Sequence, residues 1–230
     1  MNTIVTAPHR RRMFLVFDVE TTGLLPKQKR GQESGTGPTI EQYPHILQLG
    51  FVLYDLETRT IQQRYDSYVK VPDSVVIDPY ITTLTGINKA MCDTQGRPIT
   101  TVLNDFFQAY RLCDGLIAHN LEFDTKMVLV EVERNQAALI ERGFAECLLM
   151  FQPMHEKVRN IDRYCTMRKS INLCNILVAN DRGETRRKFP KLVELHKHLF
   201  GGEAPANLHN AMADVEACLR CYLKMRHNIE

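Results

Sequence analysis

An α/β fold, a mixed β-sheet covered by helices, is predicted by three features of the sequence. Runs rich in Val, Ile, Leu and Phe come early, at 13–17 and 45–54, and an alternating stretch follows at 64–71; all three read as strands. A further short apolar run at 114–120 alternates with long segments of helical apolar spacing. Strands first, then strand and helix in alternation, fit one sheet with helices packed against it. At 230 residues, 44% hydrophobic and 24% charged, the chain suits one large globular domain. We read 1–12 as a basic N-terminal extension and 13–228 as the domain.

The first strand, MFLVF at 13–17, runs directly into Asp18 and Glu20 before breaking at Thr21, Thr22 and Gly23. Residues i and i+2 of a strand share a face about 7 Å apart, so the two carboxylates stand together. Like charges that close stay ionised only with a counter-charge between them, and a divalent cation supplies one. A D-x-E triplet alone also fits a strand that ends in solvent. The stretch 26–44 follows, polar, Gly-rich and nearly free of aliphatics. It is too long for a hairpin turn, and loops of that length are usually functional or mobile.

HILQLGFVLY (45–54) and RYDSYVKV (64–71) complete an antiparallel meander. In 100–113, Val102, Leu103, Phe106, Phe107 and Tyr110 recur at helical spacing. DGLIAHN (114–120) is a short buried strand, and 121–136 an amphipathic helix with Asn120 placed to cap it. A helix is expected at 187–201, with Pro190 near its start and Gly201–Gly202 after its end. The last helix spans 209–228. Asp124 and Asp214 fall in the first turns of their helices, where acids also complement the helix dipole.

Net charge is +2 with a pI near 8.1, compatible with a polyanionic partner without requiring one. Of the seven cysteines only Cys218 and Cys221 form a C-x-x-C. They lie in an apolar helical pattern with no second pair to complete a zinc site, so reduced core thiols in an intracellular compartment, cytoplasm or nucleus, are expected. No apolar run approaches a membrane span, and the first residues lack the apolar core of a secretory signal. Two basic stretches, HRRR (9–12) and NDRGETRRK (180–188), suit either phosphate contact or plain solvation.

FDVETTG (17–23), AHNLEFD (118–124) and HNAMAD (209–214) resemble the three motifs of the DEDD family of 3′–5′ exonucleases, proofreading-like members included. The variant is the one with a histidine ahead of the last aspartate, in the pattern H-x-A-x-x-D. Order and separations agree, and the resemblance runs from about Met13 to Leu223. It implies a ribonuclease-H-like fold, a mixed five-stranded sheet with an antiparallel meander flanked by helices. It also implies that Asp18, Glu20, Asp124 and Asp214 hold two divalent cations, Mg²⁺ or Mn²⁺, and that His209 is the general base. Thr22, Gly23, Leu84, Thr85 and Gly86 would meet the terminal nucleotide, with Leu84 wedging between bases. Phe123 would stack or simply pack, and His119 and Asn120 would shape the site.

The chemistry agrees with that resemblance. Hard oxygen ligands suit Mg²⁺ and phosphate oxygens, and paired cations promote in-line displacement at phosphorus. An imidazole suits proton transfer near neutral pH. The expected substrate is therefore a nucleic-acid 3′ end, single-stranded DNA first, with nucleoside monophosphates released. RNA 3′-end trimming is the alternative within the class, and a non-catalytic nucleic-acid-binding module the alternative outside it. Loss of one acid would favour the module, and all four are present. No polymerase partner, oligomeric state or use for the 26–44 loop is readable from the sequence.

Overall fold

The computed structural model describes residues 12–26, 37–179, 183–205 and 209–229. Strand β1 (Met13–Thr21) pairs antiparallel with β2 (Ile46–Asp55), which pairs antiparallel with β3 (Thr60–Lys70). This is the meander the sequence predicts. Two short helices follow, α1 (Pro79–Thr85) capped by Asp78 and α2 (Lys89–Gln95) capped by Asn88. A two-residue strand, β4 (Arg97–Pro98), leads into α3 (Ile99–Tyr110), and β5 (Gly115–Ala118) leads into α4 (Leu121–Arg134).

Beyond α5 (Gln136–Glu141) and α6 (Pro153–Arg159), β6 (Asp162–Cys165) returns to the sheet. Then come α7 (Thr166–Lys169), α8 (Ile171–Cys174), and a separate hairpin of β7 (Leu177–Ala179) and β8 (Thr185–Arg187). Helices α9 (Leu192–Leu199) and α10 (Ala211–His227) close the chain. No helix among the described residues is long and apolar enough to cross a membrane.

The main sheet has the order β4-β3-β2-β1-β5-β6, with β5 and β6 parallel to β1. It has six strands rather than five. The addition, β4, pairs parallel with β3 over two residues at the edge. Pro98 cannot donate to a ladder, which confines this strand to an edge and keeps it short.

Period-two alternation in β1 sorts the core. Leu15, Phe17 and Val19 face a cluster with Phe106, Met127 and Val128 of α3 and α4, whereas Phe14 and Val16 face Leu195 of α9 and Val215 and Tyr222 of α10. The even-numbered row continues into Asp18 and Glu20. The same alternation that buries Phe14 and Val16 under α10 therefore delivers both acids to the face α10 covers. Burying aliphatic and aromatic side chains of this kind is worth about 1.5–3 kcal/mol each, so both helical layers are firmly held.

Boundaries differ from the expected ones where backbone chemistry intervenes. Asn120 takes the N-cap position of α4, but at φ +80° and with no side-chain cap bond. Helix α9 begins at Leu192, since 185–187 is already committed to the hairpin and Pro190 precedes the helix. Of HRRR, only Arg12 is described. It bonds Asp55 and Glu57, and its backbone N–H donates to Asp114. Residues 27–36 of the 26–44 loop and 180–182 of the second basic stretch lie outside the described residues. All seven cysteines are unbridged, and Cys174 alone is not fully buried.

Candidate nuclease active site

A left-handed turn at Asn120 swings the chain from β5 into α4 and brings Asp124, in the first turn, to the end of β1. Asparagine tolerates this conformation better than most residues. Asp124 is buried, and its Oδ1 accepts the backbone N–H of Val19 at 3.2 Å. That bond ties the second motif to the strand that carries the first.

The third motif is set by β2. Asp18 lies opposite Gly50 and Glu20 opposite Gln48 in the antiparallel ladder. A Cβ at Gly50 would stand 3.0 Å from the backbone of Ala211 and Met212, so this glycine allows the start of α10 to rest on the sheet. Gln48, buried, accepts the Ala211 N–H through Oε1 at 3.2 Å and donates through Nε2 to Asp66 at 2.7 Å. Asn210 caps the helix by accepting the Ala213 N–H. Asp214, one turn in, then accepts the backbone N–H of His209 at 3.1 Å. His209 is exposed and held at φ +69°.

Asp18, Glu20, Asp124, Asp214 and His209 line one cleft of about 590 Å³ together with His119, Asn120 and Phe123. Ligand atoms of Glu20, Asp214 and His209 lie within 4.8 Å of one another. Burial, then Asp124, Asp214 and Glu20, pushes Asp18 well above the ordinary carboxylate range. Burial also raises Asp124, against the Val19 N–H that favours its anion. Burial and then Asp214 lift Glu20 to about 7, and burial lifts Asp214 to about 6 despite the N–H and charge of His209. Among the described residues no lysine or arginine is ion-paired with any of the four. Carboxylates crowded in this way without a cationic side chain form a hard-oxygen set suited to divalent cations.

The two histidines of the cleft differ. The ring of His119 is fastened at both nitrogens, Nδ1 to Thr166 Oγ1 and Nε2 to the carbonyl of Pro190, each at 3.0 Å. Burial lowers it to about 4, so it is neutral. Its Nε2–H must donate to the carbonyl, leaving Nδ1 to accept from the threonine hydroxyl. His119 thus joins the strand β5 end to the 188–191 segment.

A smaller cavity of about 260 Å³ adjoins the cleft and shares Val19, Glu20, Leu24 and Phe123 with it. Leu84, Thr85 and Gly23 line it as well, so Phe123 is a wall common to both. Thr22 and Gly86 stand outside both cavities. Thr22 is paired with His45, accepting its N–H through Oγ1, and Gly86, at φ +77°, terminates α1. The sequence reading missed Leu24, Tyr80, Met167, Phe189 and Lys191, which complete the walls. Leu24, Tyr80 and Phe189 are 84%, 69% and 48% exposed. Large exposed apolar groups beside an acidic cleft were the signal, but only the fold reveals it.

The comparisons with known proteins agree with this architecture. A family model described as RNase_T, exonuclease, matches residues 15–222. The 3′-5′ exonuclease DinG of Bacillus subtilis (strain 168) is 32% identical over 126 residues, 54% of this chain and 11% of that protein. Escherichia coli Exonuclease I in complex with a 5cy-dT13 oligonucleotide superposes with TM-score 0.64 at 19% identity, covering 95% of this chain and 42% of the other. The zinc-bound form of the Exonuclease I–ssDNA complex from E. coli gives 0.62 at 17%, with the same coverages. The chain thus spans under half the length of these relatives. The fold, the four clustered acids and the match across 15–222 together place the chain in the RNase_T exonuclease family, among the DEDD 3′–5′ exonucleases of ribonuclease-H-like fold.

Proposed function

We propose that this protein hydrolyses nucleic acids from the 3′ end, releasing nucleoside 5′-monophosphates, with single-stranded DNA as its substrate. The observation that carries this reading is the convergence of four carboxylates and one exposed imidazole on a single cleft. The resemblance to DinG supports the 3′–5′ direction, and that to Exonuclease I bound to oligo-dT supports the choice of DNA. Asp18, Glu20, Asp124 and Asp214 would hold two divalent cations, Mg²⁺ or Mn²⁺. When bound, these supply charge neutralisation at phosphate and a more acidic water.

The residues of the chain then divide the work. His209 accepts the proton of the attacking water, whose oxygen bonds to the terminal phosphorus. The bond from phosphorus to the preceding 3′ oxygen breaks, and that oxygen keeps the electron pair and takes a proton from solvent. His209 suits the proton transfer because it is exposed at the rim and joined to Asp214 through its backbone, leaving the ring available. His119 cannot substitute, since both ring nitrogens are engaged. Leu84, Thr85, Gly23 and Phe123, in the adjoining cavity, would receive the terminal base and sugar. Apolar walls exclude water from the acids and strengthen their field.

The test is degradation of 5′-end-labelled oligonucleotides of one sequence as single-stranded DNA, mismatched duplex DNA and RNA, with Mg²⁺ and with Mn²⁺. A ladder of products shortened one nucleotide at a time, fastest on single-stranded DNA, is expected. Faster loss of RNA would move the assignment to 3′-end trimming of RNA. Internal cuts, or cleavage of a circular single strand, would overturn the exonuclease reading.

A further inference from the structure

Positive charge is unevenly spread along this chain. From Thr166 to Lys191 there are seven Lys and Arg residues against two Asp and Glu, a local charge of +5 where the whole chain carries +2. Many cations elsewhere are spoken for: Arg12 by Asp55, Arg64 by Glu216, Arg97 by Asp105, Arg134 by Glu131 and Arg163 by Glu156. In this segment Lys169 and Arg186 are exposed and have no carboxylate at ion-pair distance among the described residues. Arg187, next to Arg186, is bound to Asn175 and Asn172. Alternation along β8 therefore sends Arg186 the other way.

The same segment forms one wall of the acid cleft, through Met167, Phe189, Pro190 and Lys191. Phe189 is half exposed in that wall. It is not loosely attached. Pro190, the next residue, is buried and anchored through its carbonyl to His119, and the guanidinium of Arg168 lies 5.9 Å from the Phe189 ring centroid. A half-exposed ring fixed in the wall of an acidic cleft, within a segment that carries unpaired cations, has the chemistry of a surface that stacks a base and holds its phosphates.

We propose that α7, strand β8 and the segment running from β8 to Lys191 form a track for the single strand leading into the cleft. Phe189 is the stacking surface for an unpaired base upstream of the scissile linkage, and Lys169 and Arg186 are phosphate contacts. The track rests on the nuclease reading only for the identity of the strand's 3′ end. It adds that affinity grows with strand length beyond the terminal nucleotides, and that base stacking disfavours duplex.

The experiment is fluorescence anisotropy with 5′-labelled oligo-dT of 2 to 16 nucleotides in EDTA, over a range of salt, so that binding is read without turnover. Wild type should tighten with length and then level off. The Lys169→Glu/Arg186→Glu protein should lose at least tenfold in affinity for the longest oligomer and little for the dinucleotide. Its log–log salt slope should shrink by about 1.4, two single-strand phosphate contacts' worth. Phe189→Ala should weaken the long oligomer about tenfold, and Phe189→Trp should restore it, which separates stacking from folding. Unchanged affinity in the charge-reversed protein, equal losses for short and long oligomers, or duplex competing as well as single strand would overturn the track. Wild type that binds with this length dependence but releases no nucleotides with Mn²⁺ would refute the nuclease reading and leave the track standing.

Discussion

At the scale of single residues, the two cleft histidines and the acids should fail in different ways. His209→Ala should reduce turnover by roughly 10²–10⁴-fold, the usual worth of a general base, while metal affinity changes much less. Asp18→Ala or Glu20→Ala should cost over a hundredfold, at least about 3 kcal/mol of transition-state stabilisation. Isothermal titration of Mn²⁺ into each variant distinguishes the classes, since loss of an acid must weaken binding. Equal Mn²⁺ affinity in Glu20→Ala and wild type would remove Glu20 from the proposed ligand set. His119 gives a separate check. Because burial lowers it to about 4, its imidazole resonances should stay constant from pH 5 to 8, and a midpoint inside that window would contradict the assigned tautomer. Asp18, Glu20, Asp124, Asp214 and His209 were within reach of sequence reading through the three motifs taken together, since an acid at a strand end or in a helix's first turn says little alone. Leu24, Tyr80 and Phe189 fall outside all three. They lie on loops or in a short helix, outside any apolar period, and acquire meaning only when the fold sets them beside the cleft.

At the scale of elements, the reach of Asp214 depends on how closely α10 lies on β2. Gly50→Ala would drive a methyl group to 3.0 Å from backbone atoms of Ala211 and Met212, which cannot rotate aside. Overpacking of this kind costs about 1–3 kcal/mol, or roughly 2–12 °C in a chain of this size. Turnover should fall further than stability suggests, because the shift carries Asp214 and His209 with it. Gln48→Leu keeps the volume but strands the Ala211 N–H and frees Asp66, and about 1–3 kcal/mol is expected for the buried unsatisfied group. Thermal melts and kcat for both variants test this dependence, and Gly50→Ala with wild-type Tm and kcat would show that the helix start is not gauged by the strand. The meander and β5 were legible as apolar runs, β2 and β5 buried at every position, and α4 and α10 through apolar residues at helical spacing. Strand β4 and the β7–β8 hairpin were not, since two or three residues are too few for alternation to register. Asn120 takes the N-cap position of α4 as predicted but in a left-handed conformation, and its side chain makes no cap bond.

For the whole molecule, burying four neighbouring carboxylates carries a cost, desolvation first and mutual repulsion second, that pH and cations should reveal. Glu20 at about 7 and Asp214 at about 6 hold protons that the unfolded chain, with carboxyls in the ordinary range near 4, has already released. The folded state therefore binds more protons, and metal-free stability should be fullest below about pH 4, then decline as pH rises to about 7. A divalent cation binds the ionised quartet and should reverse this trend, raising Tm more at pH 7.5 than at pH 5.5. Scanning calorimetry in EDTA and in Mn²⁺ reads both limbs, and a Tm in EDTA that climbs steadily from pH 4 to 7 would mean that burial does not raise these acids. The central claim is that this fold gathers Asp18, Glu20, Asp124, Asp214 and His209 to remove nucleotides from a free 3′ end. It is tested most directly by giving the pure protein a 5′-labelled linear single strand and its circularised form, with Mn²⁺ and with Asp124→Asn as control. A one-nucleotide ladder from the linear strand, an intact circle, and no products from the variant are expected. Cleavage of the circle by wild type, or an undiminished ladder from Asp124→Asn, would contradict the claim.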